Sequence, residues 1–188
     1  MQLLFRICVL TCCILAGANV VPSDEALIAT TGTPTTTISP EQIKLDEDLI
    51  AKARRGNLNA VKNLIERGAN IKATDYAQWT ALHVSAFWGR LEVVKYLVEY
   101  GADIEARSDQ GDTALQLAAG GAQFHVIKYL VEHGADVNTR DEDGNSPLDM
   151  SIILVSLGRG STVIVRWLKD TGGKIFTKKA EYNQIFGN

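Results

Sequence analysis

The sequence predicts an all-α fold, a solenoid of about four helix-turn-helix repeats with degenerate caps at both ends. The first observation is a period. Segments 75–107 and 108–140 keep Thr80/Thr113, Leu82/Leu115, Lys95/Lys128, Tyr96/Tyr129, Leu97/Leu130, Gly101/Gly134 and Asp103/Asp136 in register, 33 residues apart. The second is punctuation: Thr80 and Thr113 stand where a hydroxyl caps the orphan amides of a helix start, and Gly101 and Gly134 where a left-handed residue ends one. The third is the apolar pattern. The first helix of each unit carries small residues, Ala81, Ser85, Ala86 and Ala114, Ala118, Ala119, and the second a stripe, Leu91, Val94, Leu97, Val98 and Phe124, Ile127, Leu130, Val131. No helix buries such a stripe alone, so neighbouring units must complete the core.

Residues 1–18, MQLLFRICVLTCCILAGA, read as a signal peptide: Arg6 supplies a positive start, Ile7 to Ala16 an apolar run, and Ala16-Gly17-Ala18 a small-residue cleavage site before Asn19. An uncleaved anchor is the alternative, although a span needs about 20 apolar residues. Export to a periplasm or secretion is the localisation this implies, with no stable membrane insertion once the leader is removed. Residues 19–44 contain ATTGTPTTTISPE, too poor in apolar side chains to repay the entropy of ordering, and read as a flexible stalk. The stalk is either an O-glycosylated spacer or a plain linker; no Asn-x-Ser/Thr sequon occurs in the chain.

The repeats span 45–175. Residues 45–74 form a degenerate first unit in which Leu49, Ala53, Leu58, Val61, Leu64 and Ile65 keep the apolar pattern. Asp46, Glu47, Asp48 and Lys52 give it the polar outer face of a cap, and the acids suit the positive end of its first helix. Units 75–107 and 108–140 follow. In the last, 141–175, Leu148 to Gly172 is 24 residues where Leu82 to Gly101 and Leu115 to Gly134 are 19, so five residues have been added near Val155 to Arg159. The first helix is expected to run on through Ile152, Ile153, Leu154 and Leu157 before Gly158-Arg159-Gly160 turns the chain. This apolar addition either meets a partner or covers the end of the stack. The tail, 176–188, either frays or folds back through Phe176 and Phe186.

Thr80-Ala81-Leu82-His83, Thr113-Ala114-Leu115-Gln116 and Ser146-Pro147-Leu148-Asp149, together with Gly-Ala-Asx at Gly68, Gly101 and Gly134, resemble the ankyrin repeat over residues 45–175. The resemblance implies a concave surface of turn fingers and first helices that recognises another protein without chemistry of its own. Carried over from the family, its exposed positions fall on Tyr76, Ala77, Trp79, Phe87, Trp88 and Arg107 in the second repeat. In the flanking repeats they fall on Arg54, Arg55, Asp109, Asp112, Glu142, Asp143 and Asn145. Trp79, out on the finger, is expected to stand clearest. Phe87 and Trp88 either bind or fill the room left by Gly120-Gly121 opposite. The family's imidazole at this turn bonds backbone and the threonine hydroxyl, which gives His83 a structural role.

Composition narrows the remaining classes. Lys and Arg number 19 against 22 Asp and Glu, a formal charge of −3, and this mild acidity argues against nucleic acid, which needs a basic face to neutralise its phosphates. Cys8, Cys12 and Cys13 are the only cysteines, which leaves the chain beyond them without a disulfide framework or a Cys-based zinc site. His125 and His133 lack an acidic partner at metal-ligand spacing and read as surface residues. Gly172-Gly173-Lys174 is followed by Ile175 rather than Ser or Thr, so it is a turn and not a phosphate cradle. A non-catalytic, exported protein-binding module without cofactor or metal, acting as a monomer on an unidentified protein partner, is the expectation. A structural spacer whose stalk matters more than its groove is the alternative, and an enzyme with an unrecognised site a third reading.

Overall fold

The computed structural model describes residues 39–187; the expected signal peptide and all but the end of the expected stalk lie outside the described residues. Among the described residues the elements are nine α-helices and an isolated bridge between Thr74 and Thr80. The helices are α1 Pro40–Arg55, α2 Leu58–Glu66, α3 Ala81–Phe87, α4 Leu91–Glu99 and α5 Ala114–Gly120. They continue with α6 Phe124–Glu132, α7 Pro147–Ser156, α8 Thr162–Asp170 and α9 Lys179–Phe186.

α1 begins at Pro40, inside the segment expected to be stalk, because Ser39 caps it and proline at the first helical position loses no intrahelical bond. The Ser39 hydroxyl accepts the Gln42 amide at 3.2 Å. The start also corrects the role of the acids: Glu41 occupies the first turn, not Asp46, Glu47 or Asp48. Asp46 instead accepts the Asn70 amide at 2.7 Å and the Gln42 side-chain amide at 2.8 Å, tying the loop after α2 to α1.

Thr80, Thr113 and Ser146 each cap an inner helix with a reciprocal bond from the residue three positions on, His83, Gln116 and Asp149. At the far end Gly101 (φ 93°) donates to Val98 and Ala102 to Leu97, a Schellman closure repeated at Gly134. Inner helices α1, α3, α5 and α7 pack in series, outer helices α2, α4 and α6 likewise, and each inner helix packs on the outer helix that follows it. The core between the layers is built of columns one repeat apart. Leu49, Leu82, Leu115 and Leu148 form one, and Val61, Val94, Ile127 and Val165 another, all buried. The step from Ile127 to Val165 is 38 residues rather than 33, which measures the insertion in the last repeat.

That insertion lengthens α7 to 10 residues where α3 and α5 have seven, and leaves Leu157 and Val163 exposed. α8 packs on α7, and its Trp167 meets Phe124 of α6 edge-on at 5.7 Å. The tail folds back: α9 lies against α7, with Tyr182, Ile185 and Phe186 packed on the core. Phe176 remains partly exposed, under the Arg140 guanidinium at 4.9 Å.

Candidate protein-binding surface

Each finger is a tight turn closed by its own first side chain. Asp75 accepts the amides of Ala77 and Trp79, Ser108 those of Gln110 and Asp112, and Asp141 that of Asn145, all within 3.2 Å. The turn needs a left-handed residue, supplied by Gly111 (φ 76°) and Gly144 (φ 80°); in the second repeat Gln78 adopts it at φ 56°. Neighbouring fingers are bonded in register, Asp109 N–H to the Ala77 carbonyl at 3.2 Å and Glu142 N–H to that of Gln110 at 3.0 Å. The finger tips therefore form one row, Tyr76, Asp109, Glu142.

The expected surface residues divide. Tyr76 is 82 % exposed, and Arg54, Arg55, Asp109, Glu142 and Asp143 are exposed. Asp112 and Asn145 are not surface residues: they are only 5 % and 3 % exposed. Each precedes the helix cap, so its side chain folds beneath the finger. Asn145 donates to Asp141 at 3.2 Å and accepts the Thr177 hydroxyl at 2.8 Å. Arg107 is exposed but holds the fold, its Nη1 donating to the carbonyls of Gly111 at 3.0 Å and Arg140 at 2.8 Å. It lies at one edge of an open depression of about 570 Å³ formed mainly by residues 136–144.

Trp79 takes the register position of Asp112 and Asn145, and it too turns inward. It is half-buried against the core and 5.8 Å from the Phe87 ring, so it does not stand clear as expected. Phe87 meets Trp88 edge-on at 5.5 Å, and both rings lie half-buried outside the core cluster. The glycines opposite do not receive these rings. At Gly121 an added Cβ would stand 2.3 Å from the Phe87 carbonyl oxygen, so its room is taken by main chain. At Gly120 an added Cβ would meet only Met150 Cε, at 3.7 Å. Gln78, absent from the expected residues, was marked in the sequence by Gly111 and Gly144, which repeat its position at the same period.

The buried imidazole is structural. His83 Nδ1 accepts the Thr80 amide at 3.1 Å and Nε2 lies 3.0 Å from the Ala106 carbonyl, an arrangement that suits a neutral ring protonated at Nε2. Loss of hydration in the core lowers its pKa from the usual histidine value, against the pull of the Ala106 and Asp112 hydrogen bonds. Among the described residues no group of three or more His, Cys, Asp or Glu side chains is placed to hold a metal ion, and no helix is long and apolar enough to cross a membrane.

Residues 48–108 match the family model described as Ankyrin repeats (3 copies), and residues 86–131 and 121–169 match that described as Ankyrin repeats (many copies). This chain belongs to the ankyrin-repeat family. Ankyrin repeats are generic protein–protein interaction modules. Comparison with curated proteins gives no match.

Proposed function

We propose that this ankyrin-repeat protein is exported and, as a single copy without catalysis, binds a protein partner through the fingers and inner-helix ends of its second to fourth repeats. The observation that carries the reading is the aromatic group of the second repeat. Exposed Tyr76, together with the Phe87 and Trp88 rings outside the core, puts large apolar area on the finger face, and such side chains carry most interface energy. A second mark is strain: Gln78 holds a left-handed backbone at the tip of the same finger, at a position that glycine fills in the next two repeats. Export rests on Arg6, the Ile7–Ala16 run and the Ala16-Gly17-Ala18 site.

The test is capture of the partner from the native compartment with the mature chain, followed by affinity measurement on variants. Phe87→Ala and Trp88→Ala are each expected to weaken binding by about 2 kcal/mol, some thirtyfold. Parental affinity in both variants would remove the surface assignment. Terminal sequencing of protein from the final compartment should begin near Asn19, and an intact Met1 there would remove the claim of a cleaved leader.

A further inference from the structure

At their far ends the inner helices of the first two repeats are joined by a chain of contacts. Arg90, the N-cap of α4, donates from Nε to the Arg54 carbonyl of α1 at 3.0 Å, and its side chain lies across Gly56, where an added Cβ would stand 2.8 Å from Arg90 Cδ. The Arg54 guanidinium reaches the second finger, its Nη2 3.9 Å from Asp75 Oδ2. Asp75 in turn accepts the Trp79 amide at 3.0 Å, the Trp79 ring lies 5.8 Å from that of Phe87, and Phe87 meets Trp88 at 5.5 Å. Two guanidiniums and the half-buried aromatic pair belong to one continuous surface.

The free charges of that surface are of one sign. Arg54, Arg55 and Arg90 are all exposed, and among the described residues neither Arg55 nor Arg90 enters an ion pair. Asp75, the carboxylate within their reach, is committed: Oδ1 takes the Ala77 and Trp79 amides, and Oδ2 stands at the edge of ion-pair distance from Arg54. On α1 the acids Glu41, Asp46, Glu47 and Asp48 all precede the last turn, which holds Lys52, Arg54 and Arg55; on α4 Glu92 is held by Lys95 at 2.9 Å. Further along the stack the signs are mixed. There Arg107 and Arg140 stand among Asp109, Asp136, Glu142 and Asp143, all exposed, so neither charge prevails. An aromatic pair bordered by guanidiniums is complementary to an apolar side chain beside a carboxylate.

We propose that this surface binds an acidic segment of the partner protein, with a large apolar side chain packed on Phe87 and Trp88 and an adjacent aspartate or glutamate paired with Arg90 and Arg54. The inference rests on the protein-binding reading of the Phe87–Trp88 surface, extends it to the end of the first repeat and gives the chemistry of the segment. Arg90 is already fixed by its bond to the Arg54 carbonyl, so a carboxylate meets a planar fork whose ordering cost is largely met. The formal charge of the whole chain is −3, so the match is local: a short acidic segment finds a cationic face here, and an extended polyanion does not.

The probe is a random peptide library selected on the full chain, followed by titration of a labelled synthetic copy of the best binder at low and high salt. Enriched peptides are expected to share a large apolar residue next to aspartate or glutamate. Arg54→Gln with Arg55→Gln should weaken that peptide by about fivefold or more, the upper range for exposed ion pairs, and flatten its salt dependence. Arg90→Gln should act in the same direction. It also removes the bond to α1, so the Arg54 and Arg55 pair of changes, which leaves the Arg54 carbonyl in place, keeps the test open should Arg90→Gln loosen the fold. Lys128→Gln, an equal loss of charge on the outer helix α6, should leave affinity unchanged. Arginine variants that bind as the parent does, or a Lys128→Gln variant weakened as much as Arg90→Gln, would overturn the acidic segment; loss of affinity in Phe87→Ala and Trp88→Ala would then leave the aromatic surface standing. Indifference to the aromatic changes as well overturns both. Selection of no peptide, or of peptides without the acidic–apolar pair, overturns the inference, as does tighter binding of a uridine oligonucleotide that is lost in the same arginine variants.

Discussion

The Asp149 carboxylate accepts the Thr177 amide at 3.0 Å, at the place in the repeat where His83 faces the Ala106 carbonyl. The inner-helix residue three after the cap bonds the chain that follows the outer helix of its own repeat. His83 reaches Ala106, and Gln116 donates to the Asn145 carbonyl at 2.8 Å. Aspartate can only accept, so the chain after the last repeat presents donors instead: the amides of Phe176, Thr177 and Lys178 converge on Asp149 within 3.1 Å. The change of polarity coincides with the end of the stack, where α9 replaces a further repeat.

Asp149→Asn should therefore undock the tail. Its amide group would turn donors toward donors, at a buried site where bonds to a charged acceptor are worth about 1.5–3 kcal/mol each. The expected loss is about 3 kcal/mol in denaturant unfolding, with faster hydrogen exchange over residues 176–186 and unchanged protection in α3 to α6, since only neighbours touch. Burial alone would raise the pKa of Asp149. The Ser146 amide and hydroxyl and the amides of Thr177 and Phe176 outweigh it and hold the carboxyl below its ordinary value. As pH falls the unfolded chain takes the proton first, so this stabilisation is complete above about pH 4 and is lost as pH falls through the lowered folded value. Asp149→Asn should abolish that dependence.

His83 has the opposite chemistry but the same direction of pH dependence. Its folded pKa is lowered mainly by burial, so below about 6.5 the unfolded chain binds the extra proton and stability falls as pH drops from there toward the folded value. Gln116 already makes the equivalent contacts without titrating, its Oε1 accepting the Thr113 amide at 3.1 Å. His83→Gln should change stability at pH 7.5 by less than about 1 kcal/mol and flatten the stability profile between about pH 5 and 7. Urea unfolding at both ends of that range checks it; an unchanged slope would assign the dependence elsewhere.

What was legible in the sequence is what each unit decides for itself and repeats. The caps at Thr80 and Thr113, the left-handed Gly101 and Gly134, the small inner faces and the insertion before Arg159 are local signals reinforced by the period. What was missed depends on contacts between units. Asp112 and Asn145 are polar residues on a turn, and only the closure of the finger over them, with Thr177 reaching Asn145, makes them interior. The inward turn of Trp79 follows from the same geometry. The start of α1 was readable, since Ser39-Pro40 is a cap followed by proline at the first helical position, but the threonine run before it drew the boundary too late.

Among the described residues two non-glycines hold positive φ, and magnitudes separate them. Gln78 is exposed, so Gln78→Gly relieves about 1–2 kcal/mol of left-handed strain against an unfolded-state entropy cost of about 0.4–1 kcal/mol. A net stabilisation of up to about 1 kcal/mol is expected. Ala122 (φ 55°) stands where Gly56 and Gly89 stand in earlier repeats, but its methyl packs on the core, worth about 0.8 kcal/mol. Ala122→Gly should therefore be near neutral. Thermal melts of the two variants side by side give the comparison, and a larger gain from Ala122→Gly would mean its methyl contributes little.

The last prediction separates Trp79 from Trp88. Trp79 packs on the core and against the Phe87 ring, so Trp79→Ala removes buried area and leaves Phe87 unsupported. A half-buried ring gives less than the 3–5 kcal/mol of a fully buried one, and about 2 kcal/mol is expected, a fall in melting temperature of roughly 5 °C. Trp88 lies outside the core cluster and touches Phe87 edge-on, so Trp88→Ala should cost less than about 1 kcal/mol of stability. Its loss should fall on binding, because the fold leaves the ring half-exposed and outside the core. Melting curves of the two variants, set beside their affinities for the captured partner, decide the matter. If Trp88→Ala melts lower than Trp79→Ala, the two rings have been given each other's roles, and the binding surface would have to be redrawn around Trp79 and Tyr76.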